Sequence, residues 1–216
     1  MTDLTLDLLM QAAREFLSVL GARPIPELYG VTDGKAVGTY VEQAFHEFLL
    51  SRYKYLAGSA ASGRDFPVLG VDLKVTSIKQ PQSSCPFTSA SQKVYGLGYH
   101  LLVFVYDKVD DAEAEAARLG FEHALFIENE RTADYQTTYG LLEIIRREGN
   151  TEDVAAFLDE RNLPLDDIGR AALAEKILKD PPKQGVLTMS NALQWRLQYG
   201  RAITAAGREQ GVVRIL

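Results

Sequence analysis

Residues 99–107 read YHLLVFVYD, an apolar run of strand length with no polar face between its ends. Such a strand is stable only when covered on both sides, which predicts a mixed or parallel sheet with helices packed on its two faces. The flanking sequence supplies those helices. Leu8, Leu9, Ala12, Phe16, Leu17 and Leu20 recur at helical spacing up to Gly21, predicting a helix over about residues 3–20. Val37, Val41, Ala44, Phe45, Phe48, Leu49 and Tyr53 form a second apolar stripe. Downstream, 111–120 (DAEAEAARLG) reads as a short helix and 123–129 as a strand. Segments 137–150 and 151–162 read as helices, the second opened by Thr151 with acids in its first turn. Residues 163–180 are helical and stop before Pro181-Pro182, and 187–211 read as a final helix with Ser190 as N-cap, followed by the apolar terminus VVRIL. The fold class expected is α/β, a central mixed sheet flanked by helices, with a helical C-terminal part.

With 46% hydrophobic residues over 216 positions, the chain has the composition of a single folded domain. No apolar stretch is long enough to span a membrane, and MTDLTLDLLM carries two Asp and no basic residue, so a cytoplasmic location without membrane attachment is expected. One cysteine, Cys85, excludes a disulfide scaffold and any multi-cysteine metal site, and reads as a packed small residue. Only His46, His100 and His123 add imidazole. The net charge of −6 is uneven: residues 1–106 balance, 107–169 hold 6 basic against 17 acidic residues, and 170–216 hold 8 basic against 3 acidic.

In residues 65–76 (DFPVLGVDLKVT), Val71, Leu73 and Val75 alternate with Asp72, Lys74 and Thr76, the period of a strand with one apolar face. Asp72 and Lys74 therefore project from the same side. Asp65 lies seven residues before Asp72, and the Pro/Gly-containing link between them has the length of a turn that brings an antiparallel neighbour back, so two carboxylates converge. Two such oxygen ligands suit Mg²⁺, with Mn²⁺ as the alternative, and a neighbouring ammonium can orient a metal-bound water. An acid two residues before a lysine also arises as a surface ion pair, and Asp33-Gly34-Lys35 repeats the spacing within a turn.

The segment Asp65-Phe66-Pro67-Val68-Leu69-Gly70-Val71-Asp72-Leu73-Lys74 resembles the PD-(D/E)xK nuclease superfamily. It is most similar to the branch containing the methyl-directed mismatch-repair nicking endonuclease and the related GATC-cutting restriction enzymes, with Asp72 where that branch commonly has Glu. Gly38-Thr39-Tyr40-Val41-Glu42 resembles the Gly-x-x-x-Glu motif on the helix before the strand. The likeness covers roughly residues 35–80. It implies a restriction-endonuclease-like core at about 30–130 within a single nuclease domain, 1–216, and a basic, helical DNA-binding part at about 140–216. It further implies catalysis by Asp65, Asp72, Lys74 and Glu42, with metal held by Asp65, Asp72 and the main-chain carbonyl of Leu73. The reaction implied is hydrolysis of phosphodiester bonds in double-stranded DNA, leaving 5′-phosphate and 3′-hydroxyl ends. A free-standing chain of this size fits a type II restriction endonuclease, working as a homodimer with a cognate DNA methyltransferase as genetic partner. A strand-specific repair nickase, or a DNA-binding protein that has lost cleavage, are the alternatives.

Two further segments offer DNA contacts. Residues 79–93 are rich in amides and hydroxyls, and Lys79 and Lys93 could sit on phosphates, although an ordinary connection reads the same way. Residues 190–201 combine Asn191, Gln194, Arg196, Gln198 and Arg201, whose amides and guanidinium groups match base edges, with Leu193, Trp195 and Leu197, which could instead merely pack a helix onto the body. Residues 132–138 are polar enough for a groove loop.

Overall fold

In a computed structural model, which describes residues 1–58, 63–86, 88–190 and 194–216 with the side chain of Gln194 left aside, the apolar run is the middle strand of a sheet. In chain order the described elements are β1 (Thr2–Asp3), α1 (Leu6–Gly21), α2 (Gly34–Leu50), β2 (Tyr53–Lys54), β3 (Val71–Ser77), β4 (Gln82–Pro86), α3 (Gln92–Tyr95), β5 (His100–Asp111), β6 (Ala116–Ile127), α4 (Tyr135–Arg146), α5 (Thr151–Glu160), α6 (Asp167–Lys179), β7 (Thr188–Met189), β8 (Gln194–Gln198), α7 (Gly200–Ala205) and β9 (Val212–Arg214). The central sheet has the order β3-β5-β6-β9, with β3 parallel to β5 and the other pairs antiparallel, so it is mixed. A second sheet has the order β4-β8-β7 and is antiparallel throughout.

The alternation of β5 explains its unbroken hydrophobicity. Leu102, Phe104 and Tyr106 face α1 and α2, where Phe16 and Phe45 pack at 5.0 Å with their rings tilted by 45° and Phe45 meets Phe104 edge-on at 5.3 Å. Leu101, Val103 and Val105 face the opposite way, onto Trp195, Leu197 and Tyr199 of the β8 segment and Ala202 of α7. Both faces are covered as expected, but the second cover is a small sheet with one short helix. A third apolar cluster joins Val94 of α3 to Leu141, Val154, Leu158 and Ile177 of α4, α5 and α6.

Two segments expected as single helices take another form. Residues 111–120, despite helix-favouring Ala and Glu, form the end of a β5–β6 hairpin in which Asp111 accepts from the Glu113 and Ala114 N–H groups and Glu115 takes φ 47°. Ala116, Ala117 and Leu119 are buried on that hairpin, and this burial outweighs local propensity. The helix expected over 187–211 is instead β7, β8 and α7, so beyond α6 the described C-terminal residues are helical only in the short α7. Ser190 is the N-cap of none of the described helices; its hydroxyl accepts from the Arg196 N–H across the β7–β8 connection. Helix α5 starts at Thr151 with Glu152 and Asp153 in its first turn, as expected, and is capped by Asn150, which forms a reciprocal capping box with Asp153.

Candidate active site

Phe66 and Val71 exchange both backbone hydrogen bonds, at 3.0 and 3.2 Å, closing the turn that precedes β3. Gly70 takes φ +63° in this turn, a conformation open to glycine at little cost. The turn places Asp65 alongside β3, where Oδ2 accepts the Leu73 N–H at 2.7 Å. Asp72 and Lys74, two apart on β3, point to one side, with Lys74 Nζ 2.7 Å from Asp72 Oδ2. The Asp65 and Asp72 carboxyl groups lie near enough for each to act on the ionisation of the other.

Helix α2 brings two more groups to this point. Glu42 adds a third carboxylate to the field of Asp65 and Asp72, and His46, one turn on, places Nε2 3.9 Å from Asp65 Oδ1. His46 had no role in the sequence reading; its signal was the i, i+4 spacing from Glu42 on a helix with one buried stripe. Burial, aided by the charge of Asp65, pushes Glu42 up to about 6. Burial also pushes Asp72 to about 6, with Lys74 opposing and Asp65 reinforcing. Asp65 goes the other way. Burial works against its ionisation, but His46, Asp72, the Leu73 N–H and the Lys74 charge together hold it below the ordinary carboxylate value. Burial disfavours the Lys74 cation as well, yet the surrounding carboxylates, Asp72 first, raise its pKa and keep it charged.

Two of these groups, Glu42 and Lys74, border a cleft of about 1130 Å³, together with the N-terminus of α2 and the outer face of β4. Of the residues expected to contact DNA, Lys79 and Arg196 reach this cleft. Arg196 is exposed on β8, opposite Ser84 of β4, and Gln198 is exposed two residues further on, opposite Gln82. Asn191 lies outside the described residues, and Gln194 is placed only as the first residue of β8. Two others lie away from the cleft. Lys93 is 1% exposed, with Nζ on the Met189 carbonyl and over the Trp195 ring, so it anchors the second sheet and cannot meet phosphate. Arg201 lies over the Tyr135 ring at 3.8 Å, lining a separate pocket. Residues 132–138 make no groove loop either: Thr132, Ala133, Asp134, Thr137 and Thr138 are buried, and Asp134 caps α4 while accepting the Met189 N–H. Lys35 and Lys108, which the sequence reading passed over, also line the cleft. Cys85 is buried, as expected of a packed residue.

Among the described residues no three His, Cys, Asp or Glu side chains close into a ready-made metal cage. The donor set is nevertheless that of a hard cation: two neighbouring carboxylates beside a polar cleft, one of them pushed towards protonation by burial and, less, by the other, a combination that a divalent cation relieves. Mg²⁺ commonly binds through one or two carboxylates and completes its shell with water and phosphate oxygens, so these residues fit it.

A family profile described as type II restriction enzyme NspV matches residues 3–214. The chain belongs to the NspV family. A curated member, the type II restriction enzyme NspV of Nostoc sp. (strain ATCC 29411 / PCC 7524), is 54% identical over 215 residues, covering 100% of this chain and 98% of the relative. No solved structure matches the chain. The NspV-family match runs through Glu42, Asp65, Asp72 and Lys74 as well as β8, so the cleft and its carboxylates lie wholly inside the shared region.

Proposed function

We propose that the chain is a Mg²⁺-dependent type II restriction endonuclease of the PD-(D/E)xK kind, hydrolysing phosphodiester bonds of double-stranded DNA at a specific sequence. The observation that carries this reading is Asp65 held against β3 by the Leu73 N–H at 2.7 Å, with Asp72 and Lys74 2.7 Å apart on that strand and Lys74 reaching the cleft, in a chain of the NspV family. Asp65, Asp72 and the Leu73 carbonyl would hold the cation. Bound there, Mg²⁺ would supply charge against the scissile phosphate and lower the pKa of a coordinated water. Lys74, kept charged by its carboxylate neighbours, donates a hydrogen bond to the attacking water and faces the negative charge that grows on the phosphate oxygens. Glu42, with its pKa near 6, sits outside the Asp65–Asp72 pair, where it can accept a proton at neutral pH. The products are a 5′-phosphate and a 3′-hydroxyl. Lys79 and Arg196, with Lys35 and Lys108, supply cations along the cleft for the DNA backbone.

A palindromic site cut on both strands would be served by a homodimer, and a methyltransferase of the same specificity would protect the host. The local likeness of Asp65–Lys74 to the nicking branch supports a second reading, strand-specific nicking. Incubation of the chain with supercoiled plasmid and Mg²⁺ separates the two: linear fragments of fixed length are expected for restriction, whereas open circles alone would establish nicking.

A further inference from the structure

We propose that His46 is a positioning residue for Asp65: its imidazole, fixed by Tyr55 and by stacking on Phe66, donates from Nε2 to the Asp65 carboxylate and holds it in the orientation that receives the divalent cation. The proposal rests on the metal-dependent reading above. Its basis is that the imidazole is held from two sides before it meets Asp65. Nδ1 lies 2.7 Å from the Tyr55 hydroxyl, whose single hydrogen can go to that nitrogen or to the His46 main-chain carbonyl 3.3 Å away. The ring stacks on Phe66 with centroids 5.1 Å apart and planes 25° apart, and on Tyr55 at 6.0 Å. Phe66 adjoins Asp65 and is itself pinned to Val71 by the bridge that closes the turn. Ring, turn and β3 are thus one packed unit.

The remaining nitrogen, Nε2, faces Asp65 Oδ1 at 3.9 Å, a gap that a shift of about 1 Å turns into a hydrogen bond. An acceptor-only carboxylate facing Nε2 requires that Nε2 carry the hydrogen. The Tyr55 hydroxyl accommodates this in either state of the ring, donating to a bare Nδ1 or accepting from a protonated one. The positioning therefore does not depend on the charge of His46. Asp65 is then held at both oxygens from different directions, Oδ2 by the Leu73 N–H and Oδ1 by His46, and its remaining lone pairs point in a fixed direction. Asp65 lies on a turn rather than in a strand, so it needs such a second tether more than Asp72 does, whose orientation β3 sets.

The test uses the full chain with Mn²⁺ as probe, in the absence of DNA, followed by paramagnetic resonance, together with kcat and KM on plasmid DNA and thermal melting. His46→Leu should weaken Mn²⁺ binding by about tenfold or more and lower kcat, with KM for DNA unchanged. His46→Gln, which can place an amide N–H near the Nε2 position, should restore Mn²⁺ binding to within about threefold of the parent. Tyr55→Phe removes a single hydroxyl and should fall between the two, providing the test if His46→Leu does not fold. A His46→Leu chain that melts and binds Mn²⁺ like the parent would overturn the proposal, as would a His46→Gln chain no better than His46→Leu. A parent that neither binds Mn²⁺ nor cleaves would overturn the metal reading itself, and the proposal with it.

Discussion

Lys74 is three-quarters buried yet charged, because carboxylates surround it. Its proposed task is met in the transition state, so Lys74→Ala should cost cleavage more than binding: a loss of at least about a hundredfold in kcat, roughly 3 kcal/mol, with DNA affinity and melting temperature near the parent's. Retained cleavage within about tenfold in single-turnover assays would remove Lys74 from this role. The carboxylates make a second prediction, on stability. Asp72 and Glu42 titrate near 6 in the folded chain, above their ordinary values of 3.8 and 4.5. Between those limits the folded chain holds more protons than the unfolded one, so their contribution falls as pH rises from about 4 to about 6. Asp65 acts oppositely and further down the scale: its stabilisation is present above its ordinary value and lost as pH falls through its lowered one. Metal-free melting temperature should therefore drop across that window, Mg²⁺ should restore it at neutral pH, and Glu42→Gln should flatten part of the drop, by at most on the order of 1 kcal/mol for a partly exposed group. A melting profile unaffected by Glu42→Gln and by Mg²⁺ would contradict this. At this scale the strand residues were legible because a period of two leaves Asp72 and Lys74 only one arrangement. His46 was not, since its meaning depends on Tyr55 and Phe66 arriving from elsewhere in the chain.

The elements around β8 show where local pattern misleads. Leu193 and Leu197 stand four apart and suit a helix, but Trp195, Leu197 and Tyr199 alternate with exposed Arg196 and Gln198, and that strand period is the one the structure uses. The choice is settled by β4, which supplies an antiparallel partner that no local pattern reveals. Two measurements follow from this arrangement. Trp195→Ala should cost about 3–5 kcal/mol in denaturant unfolding, because it empties the centre of the second core and removes the ring beneath Lys93. Arg196→Ala, on the cleft, should weaken DNA binding and lower its salt slope by about one if it meets a phosphate, or spare random duplex if it reads a base. Arg201→Ala, stacked on Tyr135 away from the cleft, should leave both unchanged. Equal behaviour of the two arginine variants would show that the β8 face does not touch DNA.

On the scale of the whole molecule, the basic excess of residues 170–216 is largely taken up within the protein. Arg170 pairs with Asp159 and Asp167, Lys179 with Glu175 and Lys183 with Glu130, while Lys176 lies over Tyr95 and Arg214 bonds the Ala206 and Ile203 carbonyls. Of the cations that border the cleft only Arg196 of β8 belongs to that segment; the others come from α2, β3, the β3–β4 turn and β5, parts of the chain far apart in sequence, which is why charge counting along the chain could not locate them. Sedimentation should show a dimer on cognate duplex if both strands are cut in one encounter, and a monomer there would favour nicking. The most direct measurement maps the ends produced from plasmid DNA of known sequence by the purified chain with Mg²⁺, alongside Lys74→Ala. The account predicts double-strand breaks with 5′-phosphate ends at one recurring sequence, absent without divalent metal and absent in the variant. Breaks scattered over the plasmid, or the same breaks from Lys74→Ala, would contradict it.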